Sequence, residues 1–364
     1  MGSMTMRDRM LAVVRGERPL DRVPFVQYDG AGGPTAEAWD LLGRQNMGVL
    51  QWTGVHRTEA PGCRFEVEEI EHAGRRGVRT TLYTPTGRLY CEHTYQPDLG
   101  ALAVRKHYVA KPQDYEILMT YLRSIVVHED YDRAASVARD LGDDGLPHVS
   151  IDRTPWQQLW IQWVCLEDLC LHVADCPDVV EECLDIIGGI VRRTFKIVAK
   201  ADIPYVVFPD NITAPAIGER YFRQYCLPFY RELHDMLAER GIPVFVHIDG
   251  DTRGLRDAIG ESGIDGIDSL SPPPDNDTSV EEALRLWPGI RLLVNFPSSV
   301  HLAPAERIYE VAADIVRQAG DTGRVQIQIS ENVPPGAWRK SYPEIVRATR
   351  DAVRWGGPAG KGGG

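Results

Sequence analysis

Short apolar runs rich in β-branched residues alternate along this chain with longer segments whose apolar residues recur every three to four positions. The first pattern belongs to buried strands and the second to amphipathic helices. Strands are predicted at 22–30, 148–152, 204–209, 243–249, 264–270, 291–296 and 325–330. Helices are predicted at 111–124, within 156–201, and at 218–241, 253–262, 279–287, 304–319 and 342–354. From residue 146 onward strand and helix strictly alternate, and single helices between strands imply parallel pairing. Seven strands are visible, with an eighth hidden in the helical region or the N-terminal part. That count favours an α/β fold of the closed (β/α)8 kind, a TIM barrel, over an open sheet. "GVRTTLYTPTGRLYCEHTY" at 77–95 breaks the rhythm and reads as a β-hairpin turning at "TPTG". The barrel is therefore expected to carry an N-terminal excursion over about 60–110.

Length changes this picture little: 364 residues fit one large barrel. A single domain over 20–354 is expected, preceded over 1–19 by a tag remnant and a helix. The glycine-rich tail 355–364 is expected to be disordered. Charge excludes more. With 40 basic and 52 acidic side chains the formal charge is −12, which argues against a broad nucleic-acid or anionic-membrane interface. No run of about 18 apolar residues suggests a membrane span. Seven scattered cysteines form no CxxC pair, which suggests reduced thiols and a cytoplasmic location. There is no GxGxxG at a strand–helix junction and no phosphate-binding lysine loop.

Candidate chemistry lies at the C-terminal ends of the strands, where barrels of this class keep their sites. Those ends are polar although the strand bodies are apolar. They hold Tyr28 and Asp29, Asp152 and Arg153, Asp210 and Asn211, His247, Asp249 and Asp251, Asp268 and Ser269, Asn295, and Gln328, Ser330 and Glu331. In "GIPVFVHIDGD" the alternation turns Val244, Val246 and Ile248 outward. Phe245, His247 and Asp249 then face the lumen. An imidazole and a carboxylate two residues apart can share a metal ion or form an acid–base pair. In "RVQIQISEN", Val325, Ile327 and Ile329 should pack outward, which turns Gln328 and Ser330 inward. Glu331 points in only if the strand has ended or bulged by then. Asp251 is expected to cap the following helix, and His301 to sit on the surface. Trp156 and Gln157 belong to a core helix or roof the mouth. Tyr28, Asp29, Asp152, Asn211, Asn295 and Gln328 are candidates for substrate contact, and His247, Asp249 and Asp210 for catalysis.

Four stretches together resemble the uroporphyrinogen decarboxylase superfamily: "RTTLYTPTGRL", "VVFPDNITAPAIGERYFRQYCLPFYREL", "PVFVHIDGD" and "ISENVPPGAW". The likeness is to its corrinoid-dependent methyltransferase branch more than to the true decarboxylases. The arginines that follow the first strand in the decarboxylases are absent here, where the chain reads "YDGAGG". The last-strand histidine of that branch is missing too, which argues against porphyrinogen decarboxylation. The resemblance implies a (β/α)8 barrel and a zinc site that activates a thiol methyl acceptor. His247 then matches the histidine of "HxCG" and Asp249 its cysteine, while Ser330 or Glu331 falls at the second cysteine. Both thiolates are replaced by oxygen groups. A divalent metal held by His247, Asp249 and Glu331 is therefore expected, zinc or another borderline ion.

The function so implied moves a methyl group between a small methyl donor or acceptor and a corrinoid (cobalamin) or thiol. The chain lacks a "DxHxxG" corrinoid loop, so the corrinoid comes from a partner protein or binds directly. Barrels of this family often self-associate, which makes a homodimer an expectation. Two other classes stay open. One is a metal-independent decarboxylase or lyase using His247 with Asp249 or Asp210. The other is a non-catalytic small-molecule binder.

Overall fold

A computed structural model describes residues 4–18, 20–97, 101–331 and 333–351; the tail 355–364 and the first three residues lie outside the described residues. Fourteen strands appear among the described residues, in chain order β1 (Phe25–Tyr28), β2 (Gly48–Thr53), β3 (His56–Glu59), β4 (Arg64–His72), β5 (Arg75–Thr84), β6 (Gly87–Gln96), β7 (Ala101–Lys106), β8 (Val126–Glu129), β9 (Gly145–Val149), β10 (Val206–Phe208), β11 (Val244–Val246), β12 (Gly266–Leu270), β13 (Arg291–Asn295) and β14 (Val325–Ile329).

Eight of these form one parallel sheet in the order β10-β11-β12-β13-β14-β1-β2-β9. A parallel bridge between Ser150 and Val207 joins the two ends, with Ile151 N donating to Val207 O at 3.1 Å. The sheet is thus a closed (β/α)8 barrel, as the alternation of patterns predicts. The eighth strand is β2, from "GVLQWT", which precedes the excursion. The excursion leaves after β2. Its base is the antiparallel pair β3–β8, and its body is the four-stranded antiparallel sheet β4-β5-β6-β7. The predicted hairpin is β5–β6, with Thr84 paired to Gly87 across the turn.

Two cores result from the strand alternation. Outward residues, among them Val244, Val246, Ile248, Val325, Ile327 and Ile329, pack in one large cluster with the surrounding helices. Inward residues Val26, Tyr28, Leu50, Leu146, Tyr205, Val207, Phe245 and Leu293 fill the lumen. Met6, Met10, Val13 and Val14 of the helix Met6–Arg15 join this inner cluster. Gly266 makes room for it, because a Cβ there would lie 2.0 Å from the Phe245 ring. The lumen is therefore a packed core up to the level of His148, Asp268 and Gln328, where polar side chains take over. No helix among the described residues is long and apolar enough to cross a membrane.

Three local expectations differ from the structure. Strand β11 ends at Val246 rather than at 249, since the chain bends away to form the 247–251 loop. Asp251 does not cap the next helix. Its carboxylate accepts from Asp277 N at 3.1 Å, while Asp277 takes the Thr252 and Arg253 amides. The two aspartates clamp neighbouring loops to each other. His301 is fully buried, with Nδ1 2.7 Å from Ser341 Oγ, because "SSVHLAP" forms a 3-10 turn that folds under Phe296 and Tyr342.

Candidate functional site

The described structure brings His247, Asp249 and Glu331 together at the mouth of the barrel. His247 Nε2 lies 3.6 Å from Asp249 Oδ2 and 3.5 Å from Glu331 Oε1. One ligand atom from each of the three falls within 4.8 Å of the others. Local backbone explains how. His247 N still donates to Phe208 O at 2.8 Å, so the imidazole keeps the inward register of β11. The following loop is held by Gly250 N donating to Ile212 O and by Asn276 Nδ2 donating to Asp249 O. A Cβ on Gly250 would fall 2.2 Å from Thr213 Cβ, so only glycine lets the loop pass there. Strand β14 ends at Ile329, which frees Glu331 from the alternation and lets it turn inward. Ser330 is occupied instead: its amide and hydroxyl both donate to Asn295 Oδ1 at 3.1 Å, and its hydroxyl meets Ser269.

Beneath this trio lies a carboxylate that the strand pattern marks as a polar strand end without giving it a role. Asp268 is fully buried on β12. Its Oδ2 accepts from Tyr28 Oη at 2.7 Å and its Oδ1 from Gln328 Nε2 at 2.5 Å. His148 Nε2 lies 3.2 Å away, off the line of a good hydrogen bond, and His148 Nδ1 meets Tyr205 Oη at 2.7 Å. The far nitrogen of His247, Nδ1, is 3.9 Å from Asp268 Oδ2. His247 is thus a buried ring with one nitrogen toward Asp268 and the other toward Asp249 and Glu331.

Electrostatics follow from this stacking. Burial alone would lower the His247 pKa, but the carboxylates of Asp249, Asp268 and Glu331 outweigh it and raise the pKa well above the usual value. Burial works against ionisation of Asp268, yet the His148 and His247 rings hold its carboxyl well below the usual carboxylate range. Burial, then the Asp268 charge, pushes the Tyr28 phenol up, so it stays a donor.

The donor set fits a divalent ion. A tetrahedral ion with bonds of about 2.1 Å separates its ligands by about 3.4 Å, close to both observed spacings. The second His247 nitrogen facing a carboxylate is the arrangement that fixes a ligating imidazole. His247, Asp249 and Glu331 would hold the ion, and Asp268 would orient the ring.

Other residues singled out in the sequence are placed differently. Asp210 is fully buried and engaged: its carboxylate accepts from Thr154 N at 2.8 Å, Thr154 Oγ1 at 2.9 Å and Tyr230 Oη at 2.5 Å. Burial raises its pKa despite those partners. Asp29 is exposed and accepts from Thr35 Oγ1, which fastens the loop after β1. Asp152 is half-buried between Thr194 Oγ1 and His56. Asn211 accepts from Arg153 at 3.3 Å. Asn295 is turned to Ser330, and Gln328 to Asp268. Trp156 is buried against Tyr221 and Tyr225, and Gln157 donates to Asp210 O.

A family model described as uroporphyrinogen decarboxylase matches residues 165–352, just over half of the 364-residue chain. The chain belongs to the uroporphyrinogen decarboxylase family. The matched span contains β10 to β14 and with them His247, Asp249, Asp268 and Glu331, whereas Tyr28 and His148 precede it. Among solved structures, a methyltransferase from Methanosarcina mazei aligns at 15% identity with a TM-score of 0.55, over 96% of this chain and 99% of that one. This likeness shows the shared fold. A chitinase from Chromobacterium violaceum ATCC 12472 aligns at 9% identity with a TM-score of 0.36, over 90% and 98% of the two chains. No curated protein matches the chain in sequence.

His148 and Trp52 are the mouth residues that strand reading passes over, and Asp268 is read there only as a polar strand end with no role. His148 is a lone polar residue in the run "LPHV", two positions after inward Leu146, and that register is the signal for it. Trp52 is the penultimate residue of β2 and is 42% exposed, with its ring edge-on to His148 at 4.3 Å and to Tyr28 at 5.2 Å between centroids. It gives this family member an aromatic wall beside the polar cluster.

Proposed function

We propose that the protein is a methyltransferase that moves a methyl group between a small substrate and a corrinoid or thiol acceptor, at a divalent metal site made by His247, Asp249 and Glu331. The observation that carries this is the convergence of these three side chains, ligand atoms within 4.8 Å, at the strand ends of a uroporphyrinogen-decarboxylase-family barrel. The barrel shared with a protein called a methyltransferase supports the choice of chemistry.

Methyl transfer breaks the bond from the methyl carbon to its donor heteroatom, which keeps the electron pair, and forms a bond to a nucleophilic acceptor. A zinc-like ion, when bound, supplies positive charge that lowers the pKa of a thiol or stabilises the heteroatom left with the extra pair. The chain's own residues orient and exclude. Asp268 faces the inner nitrogen of His247 at 3.9 Å and would orient the ring with Nε2 toward the mouth. Asn295 fixes Ser330 and so the turn that presents Glu331. Tyr28 and Trp52 wall the space against water, which strengthens the charges inside. A corrinoid-carrying protein is the proposed partner.

Mixing the protein with methylcobalamin and a thiol tests this directly. A protein-dependent change in the cobalamin absorption spectrum, abolished in His247→Ala, is the expected result. No change with any thiol offered rules the corrinoid route out.

One observation favours a second function. Without a metal, the raised pKa makes His247 a cation among three carboxylates, a suitable proton donor for a lyase or decarboxylase. Release of CO2 from a carboxylated substrate that survives full chelation distinguishes this case.

A further inference from the structure

We infer that Arg153 and Asn211 form an oxyanion-binding pair at the barrel mouth, so that the small molecule received there carries a carboxylate. Arg153 follows β9 on a segment tied to its neighbours on both sides. Ser150 bridges to Val207, and the Thr154 amide and hydroxyl both donate to Asp210. Asn211 follows β10 in a left-handed conformation, φ 54°, and Gln157 Nε2 clasps the carbonyls of Asp210 and Asn211 at 2.6 and 3.4 Å. The next residue, Ile212, donates to His247 O. The pair is therefore built into rigid backbone one strand away from the His247 imidazole.

The Arg153 guanidinium is unusual in this protein. It is half-buried, and its Nε is enclosed without a partner. Its hydrogen bond is to a neutral acceptor, Asn211 Oδ1 at 3.3 Å. Among the described residues it forms no ion pair. Other sheltered arginines do better: Arg9 pairs with Asp21 at 2.7 Å, Arg291 with Asp265 at 3.1 Å, and Arg324 donates to three backbone carbonyls.

A guanidinium has five N–H donors in a planar fork, and leaving most of them unused in a sheltered place is costly. A carboxylate satisfies two at once with charge-assisted hydrogen bonds. With Oδ1 turned to Arg153, Asn211 keeps its amide nitrogen free of that contact and would offer it as a third donor to the same anion. The carboxylates that act on Arg153 at longer range are Asp210, Asp249 and Asp152. Asp210 is already engaged by Thr154 and Tyr230, Asp152 lies between Thr194 Oγ1 and His56, and Asp249 belongs to the proposed metal set. None of the three forms an ion pair with the fork. The anion would sit beside the metal site with its methyl-bearing end toward His247, near the exposed Trp52 wall.

This deepens the proposed site by naming the charged end of the ligand, and it rests on that function in taking the mouth as the binding place and Asp249 as a metal ligand. Binding without turnover separates the two. Methoxyacetate and 4-methoxybenzoate are titrated calorimetrically into the full chain beside their amides, methoxyacetamide and 4-methoxybenzamide, with no corrinoid present. At least one acid is expected to bind roughly tenfold or more tightly than its amide. Arg153→Gln should remove that preference by weakening the acid far more than the amide, and Arg153→Lys should retain part of it. If Arg153→Gln does not fold, the wild-type and Arg153→Lys comparison decides. Equal affinity for acid and amide, an undiminished preference in the variants, or no binding by any of the four compounds overturns the inference. A positive result with no protein-dependent change in the cobalamin spectrum would contradict the corrinoid route and leave the anion site standing.

Discussion

Tyr28 and Asp268 meet across the lumen, 240 residues apart in sequence, with the phenol donating to the buried carboxylate at 2.7 Å. Around that contact the polar layer is assembled, since Gln328, His148 and His247 also converge on Asp268. Asp268 therefore has two roles: it holds four elements of the barrel together, and it faces the inner nitrogen of the proposed metal ligand.

Asp268→Asn keeps the shape and removes the charge. It should weaken metal binding by about 10- to 100-fold, the usual effect of losing a carboxylate behind a ligating histidine. Asp268→Ala additionally leaves buried donors unpaired and should lower unfolding stability by about 3 kcal/mol. Tyr28→Phe removes one donor and should cost about 1 kcal/mol. Competitive zinc titration and urea unfolding of the three variants check the order.

Glu331 and Ser330 occupy adjacent positions with opposite expectations. Glu331→Gln should lower zinc affinity by about tenfold or more, because a carboxylate ligand becomes a neutral amide. Ser330→Ala keeps the carboxylate and loses a hydrogen bond to Asn295, so its effect on zinc affinity should be several-fold smaller. Isothermal titration of the metal into chelator-treated protein measures both.

Asp210 is predicted to be a structural carboxylate rather than a proton carrier. Asp210→Asn should cost about 2 kcal/mol of stability through its Thr154 and Tyr230 contacts, with zinc affinity unchanged. An Asp210→Asn protein that is stable but cannot bind metal would contradict this placement.

His301 gives the stability a pH dependence. Burial pushes its pKa down to about 4, against about 6.5 in an unfolded chain. Between these values the unfolded state binds the extra proton, so the contribution is complete above about pH 6.5 and is lost as pH falls toward 4. On going from pH 7 to pH 5 it amounts to about 2 kcal/mol. Urea unfolding of wild type and His301→Gln at the two pH values should show a smaller pH effect in the variant.

Much of the fold was legible because the lumen and the helix layer each impose a clean pattern. Alternation in "PVFVHID" and "RVQIQIS" assigns inward and outward sides that the two cores confirm. Strand β2 escaped notice because "GVLQWT" is short, carries polar Gln51, and precedes a long excursion rather than a helix. The trio of His247, Asp249 and Glu331 was legible from the strand-end position and the family pattern. The end of β14 at Ile329, which settles Glu331 over Ser330 as the inward group, is a tertiary outcome of the hydrogen bonds to Asn295. His301 and Asp251 were misplaced for a similar reason. Their partners, Ser341 and Asp277, lie 40 and 26 residues away, and local pattern carries no information at that range.

The most direct test is the metal content of the purified protein after saturation with zinc and removal of loosely bound ions, measured by mass spectrometry beside His247→Ala and the Asp249→Ala/Glu331→Ala pair. About one equivalent in the wild type and close to none in the folded variants is the predicted result. Equal content in all three, or none in the wild type, would contradict the proposed metal centre.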